Sequence, residues 1–305
     1  AIREADVILM LDWVDPGGVF KQAFGDQPCH AKVIHVSLDV HSHRGWSMDM
    51  GSLPPADVYM LCEPDDAVTA LLSACRARAA TPWPARPLLP AMPQDDVVSI
   101  RSVSHALAQC TQGQELCIAR LPLGWNGAYR DFHHPMDYLG ADGGGGIGAG
   151  PGNAIGVALA LRDLGSDRLP VALLGDGDFL MGNTAVWTAV RYGIPLLIIV
   201  CNNHSFFNDE LHQERVAKER GRPVENKWIG QRMSEPEIDI AQMARSMGAV
   251  GIGPIRRASD LPQALQEAVE RVRAGQVCVV DACVAPGYDA NMSGQTASTS
   301  AAHKR

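Results

Sequence analysis

The chain has no run of about eighteen consecutive apolar residues and no signal-peptide pattern, so neither a membrane helix nor secretion is expected. Its eight cysteines include no Cys-x-x-Cys pair and no zinc-ligand spacing. Cys62, Cys201 and Cys278 fall in or beside apolar stretches and read as small core hydrophobes in a reducing compartment, the cytoplasm. Positive charge is in deficit: 26 Lys and Arg stand against 34 Asp and Glu, a formal net charge of −8. The densest cationic stretch, Lys218 to Arg222 with Lys227, is interleaved with Glu214, Glu219 and Glu225, which leaves no basic patch for a nucleic acid. No repeat at solenoid spacing is present.

What is present is an ordinary globular composition, 46% apolar and 20% charged over 305 residues, enough for one full α/β domain and part of another. From the start of the chain, apolar runs at Val7 to Leu11, Lys32 to Leu38 and Val58 to Cys62 predict buried strands, and a helix is expected near Asp65 to Arg78. Thr81 to Pro93 is rich in proline and predicts a semi-rigid linker. Beyond it helices and strands alternate again. A helix near Val97 to Thr111 and a strand near Glu115 to Ala119 are followed, after the central segment, by a helix near Ile238 to Met247 and a strand at Ala249 to Ile252. A helix near Leu261 to Ala274 and a strand at Val277 to Ala282 complete the pattern. The alternation predicts an α/β fold with a parallel sheet flanked by helices, and Asn291 to Arg305, small and polar, predicts a flexible tail.

Gly175-Asp176-Gly177, then twenty-four residues, then Asn202-Asn203 is the most informative pattern. Leu169 to Leu174 reads as a buried parallel strand ending at the Gly-Asp-Gly turn. Met181 to Tyr192 has helical spacing, with Val186, Trp187, Ala189 and Val190 on its apolar side. Gly193-Ile194-Pro195 ends that helix, and Leu196 to Val200 reads as a second buried strand. A crossover of this length returns both strand ends to one edge of a parallel sheet, so Asp176 and Asn203 can approach one cation from two sides. A carboxylate, an amide oxygen and a backbone carbonyl suit Mg²⁺, which takes about six oxygens and keeps places for phosphate and water. Gly175 and Gly177 allow close main-chain approach to a diphosphate, and the amides of Gly177, Asp178 and Phe179 open the following helix as donors. Either half alone is an ordinary turn; the pair at this spacing points to a metal–diphosphate site.

A second segment, Gly143 to Gly152, is almost all glycine around Ile147 and runs into a helical stretch from Asn153 to Leu164. That many glycines cost backbone entropy and imply close approach or positive φ. A flexible connection is one reading. A dinucleotide fingerprint is another, but the run follows polar sequence, Asp137 to Asp142, instead of a strand.

The Gly-Asp-Gly to Asn-Asn pattern resembles the cofactor signature of thiamine diphosphate-dependent enzymes. The chain is most similar to their decarboxylase and acetolactate synthase branch, which includes benzoylformate decarboxylase-like proteins. The resemblance runs over roughly residues 95–285 and, more thinly, 1–78. It implies that Asp176, Asn203 and the main-chain carbonyl of Ser205 ligate Mg²⁺. It implies that Ile147 wedges beneath thiamine diphosphate and that the Gly145 carbonyl holds its 4′-amino group. By the same resemblance, residues 1–78 are the C-terminal part of a partial, Rossmann-like middle domain and 79–94 a linker. Residues 95–287 are then the thiamine diphosphate- and Mg²⁺-binding domain, and 288–305 a tail.

The implied reaction makes or breaks the bond next to the carbonyl of a small-molecule 2-oxo acid, in a homodimer or homotetramer whose active sites lie between subunits. A glutamate from a pyrimidine-binding domain activates the cofactor in that family. This chain has no counterpart of that domain and begins with Ala, so a fragment is expected. The alternative is a cofactor-binding module without activity. His133 and His134 are candidate proton carriers near the cleft, and Glu210 and Glu214 are expected on a solvated helix face with His212 and Arg215. Ser205 to Asp209 should cover the cofactor, with one phenylalanine in the core and the other lining the substrate pocket. His41, His43 and Asp49 read as surface residues, and the segment His35 to Asp49 departs from the pattern of flavin-holding synthases, so FAD is not expected.

Overall fold

A computed structural model describes residues 2–13, 16–38, 55–76, 95–140 and 146–287. Gly145, the proline-rich stretch 79–94, the tail 288–305, and His41, His43 and Asp49 lie outside the described residues. The chain divides into two compact units, residues 1–85 and 86–305.

The first unit is a three-stranded parallel sheet in the order β1-β2-β3, formed by β1 (Val7–Leu11), β2 (Lys32–Val36) and β3 (Val58–Met60). Helix α1 (Pro16–Phe24) joins β1 to β2, and α2 (Pro64–Ala74) follows β3. All three expected strands form, each of the last two stopping short of its apolar run. Only β2, the middle strand, is mostly buried; β1 and β3, at the edges of the sheet, are largely exposed. Helix α1 was not legible because Gly17-Gly18 in its first turn disfavours a helix on local preference alone. Helix α2 begins with Pro64, whose missing N–H costs nothing at a first turn.

The second unit carries a five-stranded, wholly parallel sheet in the order β4-β5-β6-β8-β7. Its strands are β4 (Leu116–Arg120), β5 (Leu169–Gly175), β6 (Leu196–Asn202), β7 (Val250–Ile255) and β8 (Val277–Cys283). Every residue of the central strand β6 is buried, as expected of a strand covered on both faces. Helices α3 (Ile100–Cys110) and α9 (Leu261–Arg273) pack on one side, around Leu107, Leu173, Ile199, Leu265 and Val280. On the other side lie α4 (Gly150–Asp163), α6 (Thr184–Arg191) and α8 (Ile240–Ser246), around Ala158, Leu174, Val186, Ile198 and Ala244. Helix α3 starts at Ile100, later than its apolar pattern, because Ser99 caps it. The Ser99 hydroxyl accepts from the Ser102 amide at 3.1 Å, and the Ser102 hydroxyl accepts from the Ser99 amide at 2.8 Å.

The crossover after β5 departs from one expectation. It is two short helices, α5 (Asp176–Gly182) and α6, meeting at Asn183. Val186 and Ala189, three apart, are buried, whereas Trp187 is 55% exposed: one residue along a helix turns the side chain by about 100° away from the buried stripe. Cys201 and Cys278 are core residues as expected, while Cys62, just past β3, is only half-buried. No helix among the described residues is long and apolar enough to cross a membrane.

Candidate functional site

The register of β5 and β6 sets Gly175 opposite Cys201, so the Gly-Asp-Gly turn and the Asn-Asn turn leave the sheet side by side at its C-terminal edge. In open α/β sheets that edge is where ligands bind. A cleft of about 290 Å³ opens there, lined by both turns together with Arg120, Leu121, Tyr138, Ile147, Phe206 and Phe207. A larger cavity of about 720 Å³ lies in the first unit, against α1 and Asp57. It contains none of the signature residues, so size does not mark the chemistry here.

Asp176 is the first residue of α5 and is 3% exposed. Its Oδ1 accepts from the Gly177 amide at 2.8 Å and its Oδ2 from the Ser205 amide at 3.0 Å. The same Ser205 amide donates to Asn203 Oδ1, also at 3.0 Å. One N–H therefore ties the two candidate ligand side chains together across the crossover. Burial pushes the Asp176 carboxyl above the usual carboxylate range, and the amides of Gly177 and Ser205 pull against that push. A buried carboxylate held this way is suited to a cation. Among the described residues no three His, Cys, Asp or Glu side chains gather as a metal cluster. Asp176 and Asn203 bring a carboxylate and an amide oxygen together at this edge, oxygen donors of the kind a hard cation takes.

The two asparagines have different work. Asn202 is 2% exposed and points into the protein: its Nδ2 donates to Asp281 Oδ1 at 3.0 Å and its Oδ1 accepts from the His204 amide at 3.0 Å. The latter bond closes a tight turn in which His204 takes a left-handed φ of 57°. Asn203 and Ser205 line the cleft instead.

Gly177 is required by packing, since a Cβ there would sit 2.3 Å from the Phe206 ring. A Cβ on Gly175 would meet nothing within 4 Å; it faces the open cleft. Phe179 is fully buried and is not among the residues lining the cleft, so its backbone amide, expected as a donor, is not open to a ligand there. Ile147 is 48% exposed and lines the cleft.

Three expectations about neighbouring residues change. Phe206 and Phe207 both line the cleft and neither is in the core, because α7 (Phe207–Glu219) starts between them and turns both toward the strand ends. Glu210 is 2% exposed, not solvated. It accepts the Ser205 hydroxyl at 2.5 Å and pairs with Arg232 at 3.3 Å. Glu214 is not freely solvated either, its side chain being 14% exposed and bonded to Lys218 and Lys227, whereas His212 and Arg215 are exposed. His133 and His134 are exposed and are not among the residues lining the cleft. His134 uses Nδ1 to accept the Met136 amide at 3.1 Å, and both histidine amides donate to Asp137. Arg120, which lines the cleft and bonds Asp178 at 2.8 Å, was passed over in the sequence. Its signal was present as a lone charge at the C-terminal end of the apolar strand LCIAR.

Comparison with known proteins bears on this edge of the sheet. Residues 123–282, more than half of the chain, match the family described as thiamine pyrophosphate enzyme, C-terminal TPP binding domain. The chain is 29% identical over 190 residues to the acetolactate synthase large subunit of Haemophilus influenzae, covering 61% of this chain and 30% of that protein. The fold is also that of two solved structures. Benzoylformate decarboxylase from Polynucleobacter necessarius aligns with a TM-score of 0.72 at 17% identity, over 94% of this chain and 50% of that one. The thiamine diphosphate-dependent 4-hydroxybenzoylformate decarboxylase of Rhodococcus jostii RHA1 aligns with a TM-score of 0.67 at 21% identity, over 93% and 49%. The chain thus spans about a third of the length of the curated relative and half that of the structures. The matched region contains both strand-end turns and most of the cleft lining, and on that match the chain belongs to the thiamine pyrophosphate-dependent enzymes through their C-terminal cofactor-binding domain.

Proposed function

We propose that this chain is the diphosphate-binding part of a Mg²⁺- and thiamine diphosphate-dependent enzyme. The whole enzyme would cleave or form a carbon–carbon bond beside the carbonyl of a 2-oxo acid, as a decarboxylase or an acetolactate synthase-like carboligase. The observation that carries this reading is the shared Ser205 amide, which holds Asp176 and Asn203 at 3.0 Å each on one side of the cleft. Asp176, Asn203 and the Ser205 carbonyl would hold the cation. The amides of Gly177 and Asp178, which line the cleft, would take the diphosphate oxygens beside the space left open at Gly175. Ile147 would support the cofactor from below. When bound, thiamine diphosphate supplies the electron sink for the bond next to the carbonyl.

The remaining wall of the cleft does simpler work. Leu121, Leu123, Phe206 and Phe207 are apolar and exclude water from the reacting end. The names of the similar proteins, acetolactate synthase and benzoylformate decarboxylase, support testing 2-oxo acids first. Glu210 is not available as the activating glutamate, since Ser205 and Arg232 both engage it. That group is assigned to a polypeptide segment other than this one, within a cytoplasmic homodimer or homotetramer. His133 and His134 would reach the substrate only through such an assembly.

The same commitment of Glu210 favours a second reading, a module that binds the cofactor without turning over. Calorimetric titration of thiamine diphosphate with and without Mg²⁺, beside the Asp176→Ala variant, tests both. Binding that needs the metal and Asp176 supports the site, and 2-oxo acid consumption then separates enzyme from module. Equal affinity in the variant would remove Asp176 from the ligand set, and no binding by the folded protein would remove the reading altogether.

A further inference from the structure

Asp176 and Asp178 are two residues apart in the first turn of α5, so their side chains leave the helix on nearly opposite sides. Asp176 faces the Asn-Asn turn. Asp178 faces the glycine segment: its Oδ1 accepts the Gly148 amide at 2.6 Å and the Gly150 amide at 3.2 Å. Its Oδ2 takes Arg120 Nε at 2.8 Å, in a pair whose side chains are 12–13% exposed. Arg120 Nη2 in turn donates to the Gly146 carbonyl at 3.2 Å. The backbone on both sides of Ile147 is therefore held by one ion pair.

Two further features fit this arrangement. Helix α4 begins at Gly150, and its N-cap residue, Ala149, has no side chain able to accept the unpaired amides of the first turn. The Asp178 carboxylate supplies that acceptor from a different helix, with the charge sign that a helix N-terminus favours. The fit is also too close for side chains. A Cβ on Gly150 would lie 2.4 Å from Asp178 Oδ2, and one on Gly182 would lie 2.2 Å from the Gly148 carbonyl oxygen. The glycines at these positions serve the docking of the segment onto α5.

We propose that Arg120 and Asp178 are a positioning pair that seats Ile147 against the cleft, with Asp178 acting through its carboxylate on the glycine segment and not on the cofactor. The proposal rests on the thiamine diphosphate reading for what Ile147 supports, but the pairing itself does not. Arg120 has a second task within it. A diphosphate at this edge meets the carboxylate of Asp178 as a like charge, and the guanidinium cancels that charge before the ligand arrives.

Backbone amide exchange in the cofactor-free protein tests the seating. Asp178→Ala should speed exchange at Gly148 and Gly150 by about tenfold or more, the size expected when charge-assisted bonds to amides are lost. Amides of Leu173 and Ile199 in the neighbouring strands should keep their protection, which shows that the sheet is intact. Thiamine diphosphate titration with Mg²⁺ tests the charge role. Arg120→Met should weaken binding by about tenfold or more, and Arg120→Lys should recover part of the loss. The double variant Arg120→Met with Asp178→Asn should bind better than Arg120→Met alone, because the uncancelled carboxylate is gone.

Unchanged exchange at Gly148 and Gly150 in Asp178→Ala would overturn the seating. A double variant no better than the single would overturn the charge role. Faster exchange in a protein that never binds thiamine diphosphate would keep the pair and discard the cofactor reading, so the two fail separately.

Discussion

Asn202 and Asp281, 79 residues apart, are joined by a 3.0 Å hydrogen bond beneath the turn that carries Asn203 and Ser205. Both are almost fully buried, and Asp281 Oδ2 has no partner among the described residues. Burial pushes the Asp281 carboxyl up, and the Asn202 amide draws it partly back. The bond spans the neighbouring strands β6 and β8, whose register sets Asn202 against Cys283. The turn that carries Asn203 is thus fastened to the centre of the sheet and not left to its own loop geometry. The first asparagine of the motif is the fastening, and the second is the one proposed as a ligand.

This division predicts opposite signatures for two adjacent substitutions. Asn202→Ala leaves a buried carboxylate without its donor and should lower stability by about 1–3 kcal/mol. It should weaken metal-dependent cofactor binding only as a consequence. Asn203→Ala sits at the cleft and should leave the thermal midpoint nearly unchanged while cation affinity falls. Thermal unfolding and Mg²⁺ titration of the two variants check this. Equal destabilisation by both would mean that the asparagines share one role.

Much of the fold and the heart of the site were legible because they rest on local rules. Buried parallel strands are continuous apolar runs, as LLIIV is, and Gly-Asp-Gly and Asn-Asn mark the strand ends that face each other across the crossover. What was not legible depends on partners distant in sequence. Glu210 looked solvated because α7 is rich in charge, yet one side of that helix meets Ser205 and Arg232 and closes over it. Arg120 gave no hint of Asp178, 58 positions on, and Trp187 looked apolar enough to be core although the short α6 needs only Val186 and Ala189 for that purpose. Residue type and period report burial on one element; they do not report which polar group another element will supply.

Ile147 offers a test of support without stability. Its side chain is half exposed, so truncation removes little buried area and Ile147→Gly should cost under about 1 kcal/mol. Metal binding, proposed for the Asp176 side of α5, should persist. Turnover of the assembled enzyme should fall, because the cofactor would lose the wedge that fixes its shape. Steady-state kinetics beside Mg²⁺ titration separate these effects, and unchanged turnover would release Ile147 from the role.

Gly177 makes a steric prediction. A methyl group there meets the Phe206 ring at 2.3 Å, and the ring must move into the cleft or the α5 start must shift. Gly177→Ala should destabilise by about 1–3 kcal/mol, as overpacking does. Phe206→Ala in the same chain should return much of that loss by opening the space. A double-mutant cycle read by thermal unfolding gives the coupling, and additive losses would place the clash elsewhere.

Asp137 makes the acid-pH prediction. Burial alone pushes its carboxyl up, but the His133 amide, the Arg168 guanidinium at 2.6 Å and the His134 amide outweigh that and bring it down to about 2. An unfolded aspartate titrates near 3.9, so the folded form binds fewer protons between these values. Stability from this group is therefore fully present above about pH 4 and is lost as the pH falls toward 2. Because Asp137 is partly exposed, the contribution is on the order of 1–2 kcal/mol. Asp137→Asn should be destabilised by that amount at pH 7 and should converge with the unaltered protein at pH 2. Denaturant unfolding at both pH values measures the difference. A gap that persists at pH 2 would mean that the side chain holds residues 133–137 by shape and not by charge.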